Sequence, residues 1–121
     1  MVTLSRVRIW TVTEAREYLP RAGQLVGVLR DAVAVAGRAK GNGHGTPPVA
    51  EPSISVVEAV AELEEGDIIV RDPDRGLIDF PARGDDGVLY YLCWIVGEPD
   101  LEWWHLPEEG FAGRKRLPRQ P

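Results

Sequence analysis

The sequence predicts an α+β fold, a two-helix antiparallel hairpin packed on a small antiparallel β-meander of about four strands. Three observations predict it. Apolar residues recur with the helical period through the first half of the chain. Two capping boxes mark where those helical stretches begin. Beyond Gly66 the apolar period falls to two, and every connection is short and rich in turn residues.

Thr11 with Glu14 is the first capping box, so a helix begins at about Val12. Ala15, Leu19, Ala22, Val26, Leu29, Val33 and Ala36 then follow at alternating spacings of four and three. That seam predicts one apolar stripe along a helix of about 25 residues. Pro20 lies inside the pattern; it lacks a donor and crowds the preceding turn, so a kink or a short leading helix is expected there. Residues 37–52 contain Gly41-Asn42-Gly43-His44-Gly45 and Pro47-Pro48, which reads as a flexible loop with His44 exposed in it.

Ser55 with Glu58 is the second capping box, and Ile54 is placed to staple onto Ala59. Val56, Val57, Val60 and Leu63 line one face of a helix that ends at Gly66. The helical hairpin therefore covers residues 12–65. Its unequal arms leave part of the first seam needing another cover, either the sheet or a second subunit.

Residues 67–71 read as a strand, 72–76 as a turn and 77–80 as its partner. Residues 81–87 turn again, 88–96 form the longest strand, 97–100 turn, and 101–106 form the fourth strand. The meander spans 67–106, followed by a C-terminal loop and basic tail over 107–121.

A chain of 121 residues is one domain, large enough for a single core. Its net charge of −5 argues against nucleic acid as the main partner, because phosphate contacts need a basic face. The tail carrying Arg114, Lys115, Arg116 and Arg119 is a small counter-signal, read as a solvated terminus. One cysteine rules out an internal disulfide and fits a reducing compartment, so the expected setting is the cytoplasm. No run approaches the roughly 18 apolar residues of a membrane span.

The chemically versatile side chains gather in the last third. Pairing Val96 with Leu101 would put Leu92, Trp94, Leu101, Trp103 and His105 on one sheet face, and Cys93, Ile95, Glu102 and Trp104 on the other. That register separates Cys93 from His105 and counts against a Cys–His nucleophile pair. Asp79 sits between Ile78 and Phe80, where an unpaired carboxylate is costly to bury, so it faces water or has a partner among His105, Arg114 and backbone amides. Asp79 and His105 are the candidate acid–base residues.

Glu98 lies in a turn, and Cys93 reads as a small buried hydrophobe. Asp79, Cys93, Glu98 and His105 are all capable metal ligands, yet they lack the tight spacing of a metal motif, so no metal or other cofactor is expected. Gly110-Phe111-Ala112-Gly113-Arg114 lets a loop approach a ligand closely, with Arg114 suited to a carboxylate or phosphate. The alternative is that Phe111 fills the core and Arg114 pairs with Asp79 or Glu98. Trp94 and Trp104 are candidates to line a ligand pocket or an interface.

Gly76-Leu77-Ile78-Asp79-Phe80-Pro81-Ala82, then Tyr91-Leu92-Cys93-Trp94, Gly97-Glu98, Trp103-Trp104-His105 and Gly110-Phe111-Ala112-Gly113-Arg114, together resemble a bacterial family known as domain of unknown function 2203. The opening Thr11-Val12-Thr13-Glu14 running into Leu19-Pro20 is similar to that family's threonine-led helix start. The resemblance covers roughly residues 8 to 117. It implies the fold, a cytoplasmic bacterial setting and a tighter helix connection than residues 37–52 make, and it brings no activity. The expected function is a binding or interaction module, homodimeric through the helix seam or the aromatic sheet face. The alternative is an enzyme or metal-binding protein acting on a small anionic substrate through Asp79, His105 and Arg114.

Overall fold

Both capping boxes form. The Thr11 hydroxyl accepts the Glu14 amide and the Glu14 carboxylate accepts the Thr11 amide, each at 3.0 Å; Ser55 and Glu58 repeat the exchange at 3.1 and 2.9 Å. The computed structural model describes residues 7–42 and 54–119. Helix α1 runs Val12–Asn42 and α2 runs Val56–Glu65. Strands β1 (Ile69–Asp72), β2 (Leu77–Arg83), β3 (Leu89–Ile95), β4 (Trp103–His105) and β5 (Lys115–Arg116) follow, with a 3-10 turn at Phe111–Gly113 before the last. The class is α+β.

Two helix expectations need correction. α1 is one helix of 31 residues, continuous through Pro20 and through residues 37–42, which the sequence assigns to a loop. Pro20 is exposed, so the carbonyl it leaves unpaired is one that water reaches, while buried Ala15, Ala22, Leu25, Val26 and Leu29 hold the helix on either side. The rest of the expected loop, with His44, lies outside the described residues. Farther along the seam, Val33 is 38% exposed.

The helices are antiparallel. Near one end the Glu62 carboxylate accepts from the Tyr18 hydroxyl at 2.6 Å and from Arg21 Nε and Nη2 at 2.8 and 2.7 Å. The Arg21 guanidinium, followed by the Tyr18 hydroxyl, holds the Glu62 carboxyl down from 4.5 to about 2. Burial, then the Glu62 bond, pushes the Tyr18 hydroxyl up from 10.0 to about 12. A depressed carboxyl contributes stability that is present above its unfolded value and lost as pH falls through its folded one. Urea resistance is therefore expected to fall between pH 4.5 and about 2, with a shallower slope in Glu62→Gln. Urea melts of both proteins across that range check this, and parallel slopes would remove Glu62 from the account.

The sheet is an antiparallel meander in the order β1-β2-β3-β4-β5. It has one strand more than the sequence predicts, because the tail folds back and pairs Trp103 with Arg116 and Trp104 with Lys115. Pro81, read from sequence as a turn residue, lies inside β2 opposite Tyr91. Its carbonyl accepts the Trp10 amide at 2.7 Å, so its nitrogen also points to the β1 side, where β1 pairing has ended at Ile69–Asp79. No ladder bond to β3 is lost, which is how a sheet tolerates proline.

The β3–β4 register differs from the expected one by a single residue. Tyr91 pairs with His105, Leu92 with Trp104 and Cys93 with Trp103. Leu101 and Glu102 precede the strand instead of opening it. Leu101 is fully buried and its carbonyl accepts Arg16 Nε and Nη2, which lengthens the turn. The slip exchanges faces. Trp104 joins Ile78, Phe80, Leu92 and Trp94 in the core under the helices, while Asp79, Cys93, Trp103 and His105 share the opposite face.

Candidate metal centre

Three neighbouring strands bring one donor each to the face away from the helices. Asp79 on β2 pairs directly with Cys93 on β3, and His105 on β4 lies one pleat along on the same side. Their ligand atoms all lie within 4.8 Å of one another. Exposures are 1% for Asp79, 1% for Cys93 and 2% for His105. The register that the sequence favours would have separated Cys93 from His105; the slip joins them.

Asp79 Oδ2 accepts from Arg71 Nε at 2.8 Å and faces His105 Nε2 at 2.9 Å. Asp79 Oδ1 is buried without a hydrogen-bond partner. His105 Nδ1 lies 2.8 Å from the Leu106 carbonyl, to which it can only donate. Nε2 is thereby turned toward a carboxylate, and a proton between the two satisfies both. A backbone carbonyl holding Nδ1–H is also the arrangement that leaves an Nε2 lone pair free for a metal ion. Burial, followed by the charge of Asp79, pushes the Cys93 thiol up to about 12. The sulfur is therefore protonated and inert as a nucleophile near neutral pH unless a cation takes the proton's place.

This face is covered by guanidinium groups lying on aromatic rings. Arg71 lies 5.1 Å from the Tyr91 ring, Arg75 5.0 Å from Phe111, and Arg114 4.6 Å from Trp103 and 4.8 Å from Phe111. Such stacking suits a planar delocalised cation. The glycines of the 110–114 loop serve this cover. Gly110 takes φ of +69°, and a Cβ on Gly113 would come within 2.5 Å of Glu109.

The other residues singled out in the sequence lie elsewhere. Arg114 binds Glu98 at 2.6 Å, not Asp79, and the other Glu98 oxygen accepts the Ile95 amide at 2.9 Å. Glu98 thus closes the β3–β4 turn and neutralises Arg114 instead of joining the cluster. Trp94 and Trp104 are core residues, each 6% exposed, on the helix-covered face. Lys115 pairs with Glu109, Arg116 with Glu102 and Arg119 with Asp86, so among the described residues the tail presents no free basic patch, and residues 115–116 are held in a strand where the sequence suggests a solvated terminus. No helix of the described residues is long and apolar enough to cross a membrane.

Two site residues escaped the sequence reading, Arg71 and Tyr91. Arg71 had a signal: it closes one arm of a hairpin whose other arm carries Asp79, so a cross-strand charge pair could have been sought. Tyr91 had none beyond its strand.

A family model described as "Uncharacterized conserved protein (DUF2203)" matches residues 8–117. No curated protein and no solved structure matches the chain.

Proposed function

Because the chain belongs to the DUF2203 family, whose description names no activity, we propose its function from the site itself. It is a small binding module that takes up a divalent transition-metal ion, zinc foremost, through Asp79, Cys93 and His105. The observation that carries this reading is the convergence of carboxylate, thiol and imidazole within 4.8 Å, all buried, with Asp79 Oδ1 unpartnered. An imidazole, a thiolate and one carboxylate suit zinc; calcium and magnesium prefer oxygen alone. Donors on one tetrahedral zinc lie about 3.3–3.6 Å apart, so the three donors close on an ion with shifts of about 1 Å. The Cys93 proton leaves to solvent as the sulfur–metal bond forms. A lone cysteine kept as a ligand fits the cytoplasm, where it stays reduced.

Elemental analysis of the untagged protein, purified without chelator, is the test. The expected result is near-stoichiometric zinc, with chelator lowering the melting temperature and zinc restoring it. At a hundredfold excess over Kd the ion adds about 2.7 kcal/mol. Protein that is metal-free as purified and unmoved by added zinc would end this reading.

An enzyme using Asp79 and His105 as acid and base with Arg114 as clamp draws less support. Arg114 is already neutralised by Glu98, and both proposed acid–base groups are almost wholly buried.

A homodimer is the second element of the proposal. A groove of about 480 Å³ between the helices and β1 is lined by Leu29, Val33, Val56, Val60, Ile68 and Val70. Val33, Val56 and Val60 are 38%, 42% and 37% exposed. A second copy suits this strip because three valines from both helices line one groove and are each left more than a third exposed. Light scattering on a sizing column is expected to give twice the chain mass, reverting to the monomer in Val33→Glu/Val60→Glu. A monomer at high concentration would remove this element and leave the metal site untouched.

A further inference from the structure

We infer that the ion in this site carries a small oxyanion of single negative charge as its remaining ligand, and that Arg71 grips that anion's other oxygen. The inference rests on the metal reading above and names what the loaded site binds.

Three protein donors leave one position of a tetrahedral ion open. Charge decides what fills it. A divalent ion with the Asp79 carboxylate and the Cys93 thiolate is neutral as a set, and neutral His105 adds nothing. Arg71, drawn up against Asp79 at 2.8 Å, then leaves one uncompensated positive charge beside a buried cluster. Water reaches that half-exposed guanidinium and screens it only in part, and one monoanion bridging it to the ion would neutralise the set.

Geometry places it. Asp79 Oδ2 is shared by Arg71 Nε and His105 Nε2, at 2.8 and 2.9 Å. An ion taken up through the open Asp79 Oδ1 and through His105 Nε2 therefore forms beside the Arg71 guanidinium, which keeps its hold on Oδ2 through Nε. Arg71 is also the way in. Its side chain is 41% exposed against 1% for Asp79 and 3% for His105. It is the extra residue of a bulge, since Val70 pairs with Ile78 and Asp72 with Leu77. A bulge on an edge strand re-aims the side chain it carries. Only Nε of Arg71 bonds Asp79 and the guanidinium lies over the Tyr91 ring, so its two terminal amino groups remain as a planar fork of donors.

That fork matches two oxygens of a carboxylate or bicarbonate, one of which can also bind the metal. The neighbouring guanidiniums are engaged elsewhere, Arg75 with Asp72 and Arg114 with Glu98. In the exchange, the anion replaces a metal-bound water. The Cys93 proton and the proton shared by His105 and Asp79 pass to solvent as the metal binds. No bond within the anion changes.

Cobalt(II) reports on both steps, because thiolate-to-cobalt charge transfer shows that the ion is bound and the visible d–d bands show its ligand set. Wild-type protein, Arg71→Ala and Arg71→Lys would be loaded with cobalt and titrated with acetate at fixed ionic strength in perchlorate. At saturating cobalt the expected result is thiolate-to-cobalt charge transfer in all three, with any change in cobalt affinity measured separately, and a saturable d–d change with acetate in the wild type. Half-saturation should rise by about tenfold or more in Arg71→Ala, as the loss of a charge-assisted bidentate contact implies. Arg71→Lys, which keeps the charge without the fork, should fall between. A wild type that loads cobalt but ignores acetate carries water alone and overturns the inference while sparing the metal site. Equal acetate response in all three proteins overturns the role of Arg71. A wild type that loads no cobalt brings down the metal reading and this inference with it.

Discussion

Asp79→Ala is expected to abolish zinc uptake and to lower the folding free energy by about 3 kcal/mol. The carboxylate is 1% exposed, and one of its oxygens meets both Arg71 and His105. Removing it leaves Nε2 of an imidazole that is 2% exposed without a polar partner. Breaking a buried pair from one side costs about 3–5 kcal/mol, because the remaining partner is left unpaired in a poor solvent. The lower end applies because Arg71 is 41% exposed and turns out to water, relieving its own share.

Urea unfolding with chelator present measures the fold without the ion, and elemental analysis measures uptake separately. His105→Ala should lose zinc as well, and the double variant should fall short of the summed losses by about 1 kcal/mol or more, as expected of residues in one network. Asp79→Asn keeps the shape and separates the two effects: folded protein, no zinc. An Asp79→Ala protein with wild-type zinc content would show that Asp79 is no ligand.

The second large effect is expected far from that cluster. Trp10→Ala should cost about 4 kcal/mol and lower the melting temperature by roughly 15 °C. Trp10 is 3% exposed and joins three elements. Its indole donates to the Gly66 carbonyl at the end of α2 at 2.8 Å, and its amide donates to Pro81 in β2 at 2.7 Å. Its ring meets Phe80 edge-on at 5.1 Å and Tyr18 on α1 at 5.2 Å. Truncation opens a cavity and strands a carbonyl at a helix end.

Gly66 is part of the same joint. A Cβ there would lie 3.0 Å from the indole, so the glycine admits the ring, and the left-handed residue that ends the helix is Asp67, with φ of 55°. Trp10→Phe, which refills most of the volume without the indole donor, should recover more than half of the loss. Melting of Trp10→Ala within 3 °C of wild type, roughly what a ΔΔG below 1 kcal/mol gives, would contradict this account.

Trp10 shows how local signals can be present and still go unread. It occupies the position before the Thr11 cap, and Ala15 stands where a hydrophobic staple would meet it; both are in the core. The helix starts were legible because a capping box is complete within four residues. The strands were legible because alternation and turn residues are also local, and the antiparallel order follows from short connections. Family membership was legible too, since its strings lie in order along the chain.

The grouping of Asp79, Cys93 and His105 was not legible, and register is the reason. Alternation along β3 and β4 says which residues share a face within each strand, but it leaves the offset between strands to the length of the turn. Reading Leu101 as the first strand residue put Cys93 and His105 on opposite faces. In the folded chain Leu101 is buried before the strand, Glu98 closes the turn, and the offset changes by one residue. That one step decides whether the thiol and the imidazole meet.

The fifth strand and the pairing of Arg114 with Glu98 are of the same kind, contacts between segments that no local pattern relates. By itself the sequence determined the helix starts, the antiparallel strand order and the family, because each rests on neighbours within a few residues. Only the tertiary structure decided which donors converge, because register is a property of packed pairs of strands and of the core that chooses between them.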